Sequence, residues 1–170
     1  MVSSSSSSAS SRDPRDNSNS TAAANAISIT RSALVVFTPA QMYALVADVA
    51  SYPTYFDWCE SATVLNSRAN EVQAELTLRV LGMSPRFSTL NRGDPPQRMD
   101  LSLLEGPFRS LDGHWQFAAI GESGCRVTLD LSFDVGPGLL GHALALGFRA
   151  VADRMVDDFC RAARLAYIND

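Results

Sequence analysis

The sequence predicts an α+β domain, a twisted antiparallel sheet of about seven strands wrapped around one long C-terminal helix, with two short helices after the first strand. Three observations predict it. Apolar residues recur with a period of two across residues 58–135, then with spacings of three and four after residue 139. Gly- and Pro-bearing turns divide the first of these regions into strand-length pieces. A sheet with one apolar face needs a cover, and only the last thirty residues form a segment long enough to supply it.

Residues 27–37 open the folded part as a strand rich in β-branched side chains. Thr38-Pro39-Ala40-Gln41 then reads as a helix start. Thr38 caps, Pro39 takes the first helical position and Gln41 closes a capping box. Met42, Leu45, Val46 and Val49 continue it at helical spacing. Ser51 to Phe56 restarts the chain as a second short helix. Val72, Ala74, Leu76, Leu78 and Val80 alternate with polar residues, as do Val127, Leu129, Leu131, Phe133 and Val135. Trp115 and Phe117 share one face of another strand. Turns fall at Gly82, at Gly93-Asp94-Pro95-Pro96, at Gly106-Pro107 and at Gly121 to Gly124.

Gly136-Pro137-Gly138 ends the sheet. From 139 to 168 the spacing predicts one helix, about 45 Å long at 1.5 Å per residue. Its apolar stripe is Leu140, Leu144, Phe148, Val151, Met155, Phe159 and Ala163. Arg149/Asp153, Arg154/Asp158 and Asp157/Arg161 are ion pairs expected on the opposite side. The chain thus divides into a Ser-rich tail, residues 1–25, expected to be disordered, and one domain, residues 26–170.

Composition narrows the function classes. The net charge of −4 argues against a general electrostatic binder of nucleic acid, and no DNA partner is expected. Three cysteines, an odd number without CxxC spacing, argue against a disulfide framework or a zinc site and fit a reducing compartment. No run of about 18 apolar residues is present, and no basic segment precedes an apolar one at the N-terminus. The expected location is the cytoplasm, with peripheral contact to the inner membrane allowed.

Three segments together carry a family pattern. The first runs from Ser32-Ala33-Leu34-Val35 through Gln41 to Val46 and Asp48-Val49 into Ser51-Tyr52-Pro53 and Cys59. The second is Leu104-Glu105-Gly106-Pro107-Phe108 with Leu111 and Trp115-Gln116-Phe117. The third is Cys125-Arg126-Val127 followed by the long helix with Met155, Val156 and Phe159. Over residues 26–168 the chain resembles the polyketide-cyclase/START-like proteins, and within them the coenzyme Q-binding and RatA branch. The resemblance implies a helix-grip fold with a hydrophobic tunnel. It implies ubiquinone or a related lipid as ligand, with no other cofactor, in a quinone chaperone that supports respiration. It equally implies the RatA role, a toxin that binds the large ribosomal subunit and blocks subunit association. The chain departs from the pattern at His114, which stands in a Gly113–Trp115 turn where glycine is expected. It departs again at Gly136-Pro137-Gly138 and at residues 144–148.

The residues expected to line the ligand pocket are Leu103, Phe108, Trp115, Phe117, Phe148, Val151, Met155 and Phe159, with the pocket between the concave sheet and residues 144–163. Tyr43 and Arg109 are the polar candidates for a headgroup. The two histidines, His114 and His142, read as turn and surface residues. Asp112 lies near His114 in sequence but is not held as an orienting partner. There is no GxSxG, phosphate loop or clustered metal set, so no catalytic residue and no metal are expected. Cys59 reads as a small buried hydrophobe. Arg79, Arg86, Arg92, Arg98 and Arg109 make the middle of the domain locally basic. They suit either a ribosome-binding face or solvated strand edges that resist aggregation.

The leading expectation is a non-enzymatic quinone or lipid binder. The second is a ribosome-associating protein. The third, an aromatase/cyclase-like enzyme, rests on superfamily analogy.

Overall fold

The computed structural model describes residues 25–168. The tail expected to be disordered lies outside these residues, apart from Asn25.

Strand β1, Ile27–Val35, stops two residues before the sequence pattern does. Val36 turns out to solvent and Phe37 turns inward under Tyr167, with ring centroids 5.7 Å apart, so the chain can enter a helix cap. Helix α1, Pro39–Ala47, carries the expected capping box. The Gln41 amide donates to Thr38 Oγ1 at 3.2 Å, and the Thr38 amide donates to Gln41 Oε1 at 2.9 Å. A single 3-10 turn, Val49–Ser51, leads into α2, Tyr52–Tyr55. The Tyr52 hydroxyl donates to the Val46 carbonyl at 2.6 Å and ties the two helices together.

Six strands follow: β2 Cys59–Arg68, β3 Glu71–Leu78, β4 Arg86–Asp94, β5 Arg98–Glu105, β6 Phe108–Ile120 and β7 Gly124–Val135. All pairings are antiparallel, in the order β1-β7-β6-β5-β4-β3-β2. The meander therefore returns its last strand beside its first. Helix α3, Leu139–Tyr167, spans 29 residues and lies against the concave face.

The apolar stripe of α3 begins later than the spacing suggests. Leu139 and Leu140 are exposed, and burial starts at Leu144. The first turn of the helix precedes its contact with the sheet. Contact is then very close at Gly147, where a Cβ would lie 2.8 Å from Val80 Cβ. Two aromatic groups flank the middle of the helix. Phe159 packs on Phe56 at 4.6 Å, Trp115 at 5.1 Å and Tyr52 at 5.3 Å. Phe148 packs on Phe133 at 4.7 Å and Phe108 at 4.8 Å. Each such ring contributes about 2–3 kcal/mol by burial.

The charged side of α3 also differs from the simple i,i+4 pattern. Arg149–Asp153 and Arg154–Asp158 form as expected, but Arg161 turns to Asp158 at 2.7 Å instead of Asp157. Asp158 is buried, not solvated, because Trp58 Nε1 also donates to it at 2.9 Å. One carboxylate thus accepts from the indole and both guanidinium groups, which compensates its burial. Arg154 reaches on to Asp57, so this network fastens the helix to the chain entering β2.

Candidate functional site

Between the two aromatic groups, α3 and the sheet enclose a cavity with a free volume of about 60 Å³. Phe148, Val151 and Met155 form its helix side. Ala74, Leu76 and Leu78 of β3, Leu111 and Trp115 of β6, and Leu129 and Leu131 of β7 form its floor. Tyr52 and Trp58 close one end. Water needs roughly 10–15 Å³ of such space and a drug-sized ligand several hundred. The cavity therefore has room for a few small molecules and is several times too small for a drug-sized ligand. Met155, unbranched and only partly buried, is the most compliant wall residue.

Polarity enters this cavity from β4. Phe87, Thr89 and Asn91 occupy alternate positions and share the inward face. Thr89 Oγ1 donates to Asn91 Oδ1 at 2.9 Å, and both residues are buried. The lining contains no acid, histidine, cysteine, lysine or arginine. Its one titratable group is Tyr52, whose hydroxyl is bound to the Val46 carbonyl and pushed far above the ordinary phenol range by burial. Such a lining can hold and orient a molecule but offers no general acid or base.

Of the residues expected to line the pocket, Trp115, Phe148, Val151 and Met155 face the cavity. Phe108, Phe117 and Phe159 are buried beside it but spend their surfaces on other rings. Leu103 is partly buried at the far end of β5, and Leu101, two residues earlier, lines the cavity instead. Tyr43 lies in a neighbouring groove that shares Asn91 with the cavity. Arg109 is exposed and lines none of this space. Thr89 and Asn91 went unpredicted. The available signal was a period of two carried forward from Phe87, which puts two polar side chains on an inward face.

The remaining candidates are elsewhere. His114 is in the interior of β6, not in a turn, because Gly113 continues the strand opposite Leu131. Its Nε2 is 3.2 Å from Asp130 Oδ2, on the outer face of the sheet. His142 is exposed. Cys59 is buried. Arg79 lies near it in space and favours the thiolate, but burial outweighs this and pushes the thiol up to about 11. Among the described residues no group of three His, Cys, Asp or Glu side chains could hold a metal ion, and no helix is long and apolar enough to cross a membrane.

The outer face carries charge in register. Thr30, Asp130, His114, Asp100, Arg92, Glu71 and Arg68 are consecutive partners across all seven strands. Arg92 pairs with Glu71 at 2.6 Å, Arg98 with Asp100 at 2.7 Å and Arg86 with Glu75 at 3.8 Å. The arginines gather towards β2–β5, while Asp112 and Asp130 lie on β6 and β7. These pairs are exposed, where an ion pair contributes about 0–1 kcal/mol.

Residues 35–160 match the family described as polyketide cyclase / dehydrase and lipid transport. The chain belongs to that family. Within it, the ribosome association toxin RatA of Pseudomonas aeruginosa is 40% identical over 139 residues, covering 82% of this chain and 96% of that protein. The mitochondrial coenzyme Q-binding protein COQ10 homolog B of Xenopus laevis is 27% identical over 146 residues, covering 83% of this chain and 59% of that protein. The Zhui aromatase/cyclase from Streptomyces sp. R1128 superposes with a TM-score of 0.74 at 14% identity, covering 83% of this chain and 96% of that one. That last likeness shows the fold. The architecture is the START-like helix grip, a fold that does not by itself fix an activity.

Proposed function

We propose that this protein is a non-enzymatic START-like binding protein of the RatA kind, which associates with the large ribosomal subunit in the cytoplasm. The observation that carries this reading is the 40% identity to a ribosome association toxin along 96% of that protein's length. The structure supplies a compatible surface. Arg86, Arg92 and Arg98 project from β4 and β5, and their carboxylate partners are weakly held. Ribosomal RNA phosphates can replace those partners at little cost. The large subunit, as opposed to the small, is what the family resemblance implies. The test is sedimentation of the purified protein with isolated 50S and 30S subunits across a salt series. Co-migration with 50S that weakens steeply as salt rises supports the reading. Absence of co-migration at low salt removes it.

A second reading is favoured by the cavity itself. An apolar enclosure with one polar pair suits a hydrophobic molecule with a hydrogen-bonding head, and ubiquinone is the member of that class that the COQ10 relative supports. Peripheral contact with a membrane would serve its loading. Solvent extraction of the purified protein followed by mass spectrometry tests it. A co-purifying quinone or lipid supports the reading, and an empty extract together with no uptake on titration removes it.

A further inference from the structure

Asn91 belongs to two spaces. One is the apolar cavity, and the other is a groove of about 230 Å³ between α1, the β2–β3 turn and the β4–β5 turn. The groove is lined by Tyr43, Asn70, Gly93 and Met99 among others. Asn91 is 8% exposed, and the one hydrogen bond of its side chain among the described residues is the one its Oδ1 accepts from Thr89. Its Nδ2 is left to donate. No fully enclosed side-chain nitrogen or oxygen lacks a partner among the described residues, so this amide nitrogen opens onto the cavity or the groove. A donor that opens onto such a space is available to an acceptor bound there.

The second donor is Tyr43. Its hydroxyl has no hydrogen-bond partner among the described residues and lies over Gly93, where a Cβ would come within 1.8 Å of it. Glycine is required at position 93 for the ring to reach this place. Edge-on contact with Phe117 at 5.9 Å fixes the ring from the other side. Burial and the nearby Asp94 carboxylate push the hydroxyl above the ordinary phenol range, so it stays protonated and able to donate.

We propose that this groove is the headgroup subsite of the cavity, in which Tyr43 Oη and Asn91 Nδ2 donate to carbonyl-type oxygens of an amphiphile whose apolar chain enters between the sheet and α3. This rests on the second reading above. The groove has the larger volume and the donors, while the cavity has the apolar walls. The ligand class is a compact head with hydrogen-bond acceptors, on a hydrocarbon tail.

The experiment uses decylubiquinone and, as a tail without acceptors, decylbenzene. Binding is read by quenching or shift of Trp58 and Trp115 fluorescence, since both rings line the cavity. The proteins are wild type, Tyr43→Phe, Asn91→Leu and Gly93→Ala, each checked by its urea midpoint. The expected result is a loss of about tenfold in decylubiquinone affinity for Tyr43→Phe and for Asn91→Leu, one hydrogen bond each. Gly93→Ala, which evicts the hydroxyl, should match Tyr43→Phe, and decylbenzene should bind all four alike. Unchanged decylubiquinone affinity in the folded Tyr43→Phe and Asn91→Leu variants overturns the subsite and leaves the cavity reading standing. Equal losses for both probes overturn it too, since the effect is then not on the head. Failure of wild type to bind either probe removes the cavity reading, and the subsite with it.

Discussion

The two faces of the sheet are built from the same strands by opposite rules. On the inner face, Trp115, Leu129 and Leu131 are fully desolvated, and the exceptional polar pair, Thr89 and Asn91, is hydrogen-bonded to itself. On the outer face, Arg68, Glu71, Arg92 and Asp100 alternate in sign across neighbouring strands, and all four are exposed. The inner face supplies stability and a place for an apolar molecule. The outer face contributes little to stability and is therefore free to exchange partners. Mutations on the two faces should accordingly separate stability from association.

The largest effect is expected where inner-face packing is densest. Phe159→Ala removes a ring that touches Phe56, Trp115 and Tyr52 and should cost about 3–5 kcal/mol in urea unfolding. A cost below 1 kcal/mol would mean that this region is loosely packed. Next comes Asp158→Asn. It weakens a buried acceptor shared by Trp58, Arg154 and Arg161 and should cost roughly 2–3 kcal/mol, with a loss of protection at the Trp58 indole proton in hydrogen exchange.

Alkaline pH should act on the inner side as well. Burial raises the folded-state value of Cys59 from the ordinary 9 to about 11. Between those values the unfolded chain has lost the proton and the folded one keeps it. Stability is therefore complete below about pH 9 and falls as pH rises towards 11, by on the order of 1–2 kcal/mol. A urea midpoint lower at pH 10.5 than at pH 8, with a smaller difference in Cys59→Ala, checks this. The smallest effect belongs to the outer face. Arg92→Ala should change stability by less than about 1 kcal/mol, although it removes a 2.6 Å ion pair.

Much of this architecture was legible in the sequence because it rests on period and local chemistry. Alternation along residues 127–133 and the capping box at Thr38 and Gln41 needed no tertiary information. What escaped depended on where elements meet. The burial of Asp158 follows from the approach of Trp58, 100 residues away. The place of His114 follows from pairing with Asp130, and the Gly113 beside it looked like a turn signal. At the cavity, four of the eight expected lining residues face it. Phe108, Phe117 and Phe159 share the right face of their elements but lie along it where other rings fill the space. Periodicity reports the face of an element and not the depth of a hollow along it.

The measurement that bears most directly on the division between faces is one sedimentation series with 50S subunits from about 50 to 200 mM salt. It compares wild type, the outer-face variant Arg86→Gln/Arg92→Gln/Arg98→Gln and the inner-face variant Asn91→Leu. Wild type and Asn91→Leu should co-migrate with 50S along the same salt curve. The triple variant should bind at least tenfold more weakly, with a log–log salt slope shallower by roughly two to three units. A triple variant that binds like wild type, or an Asn91→Leu protein that loses the subunit while remaining folded, would contradict the account.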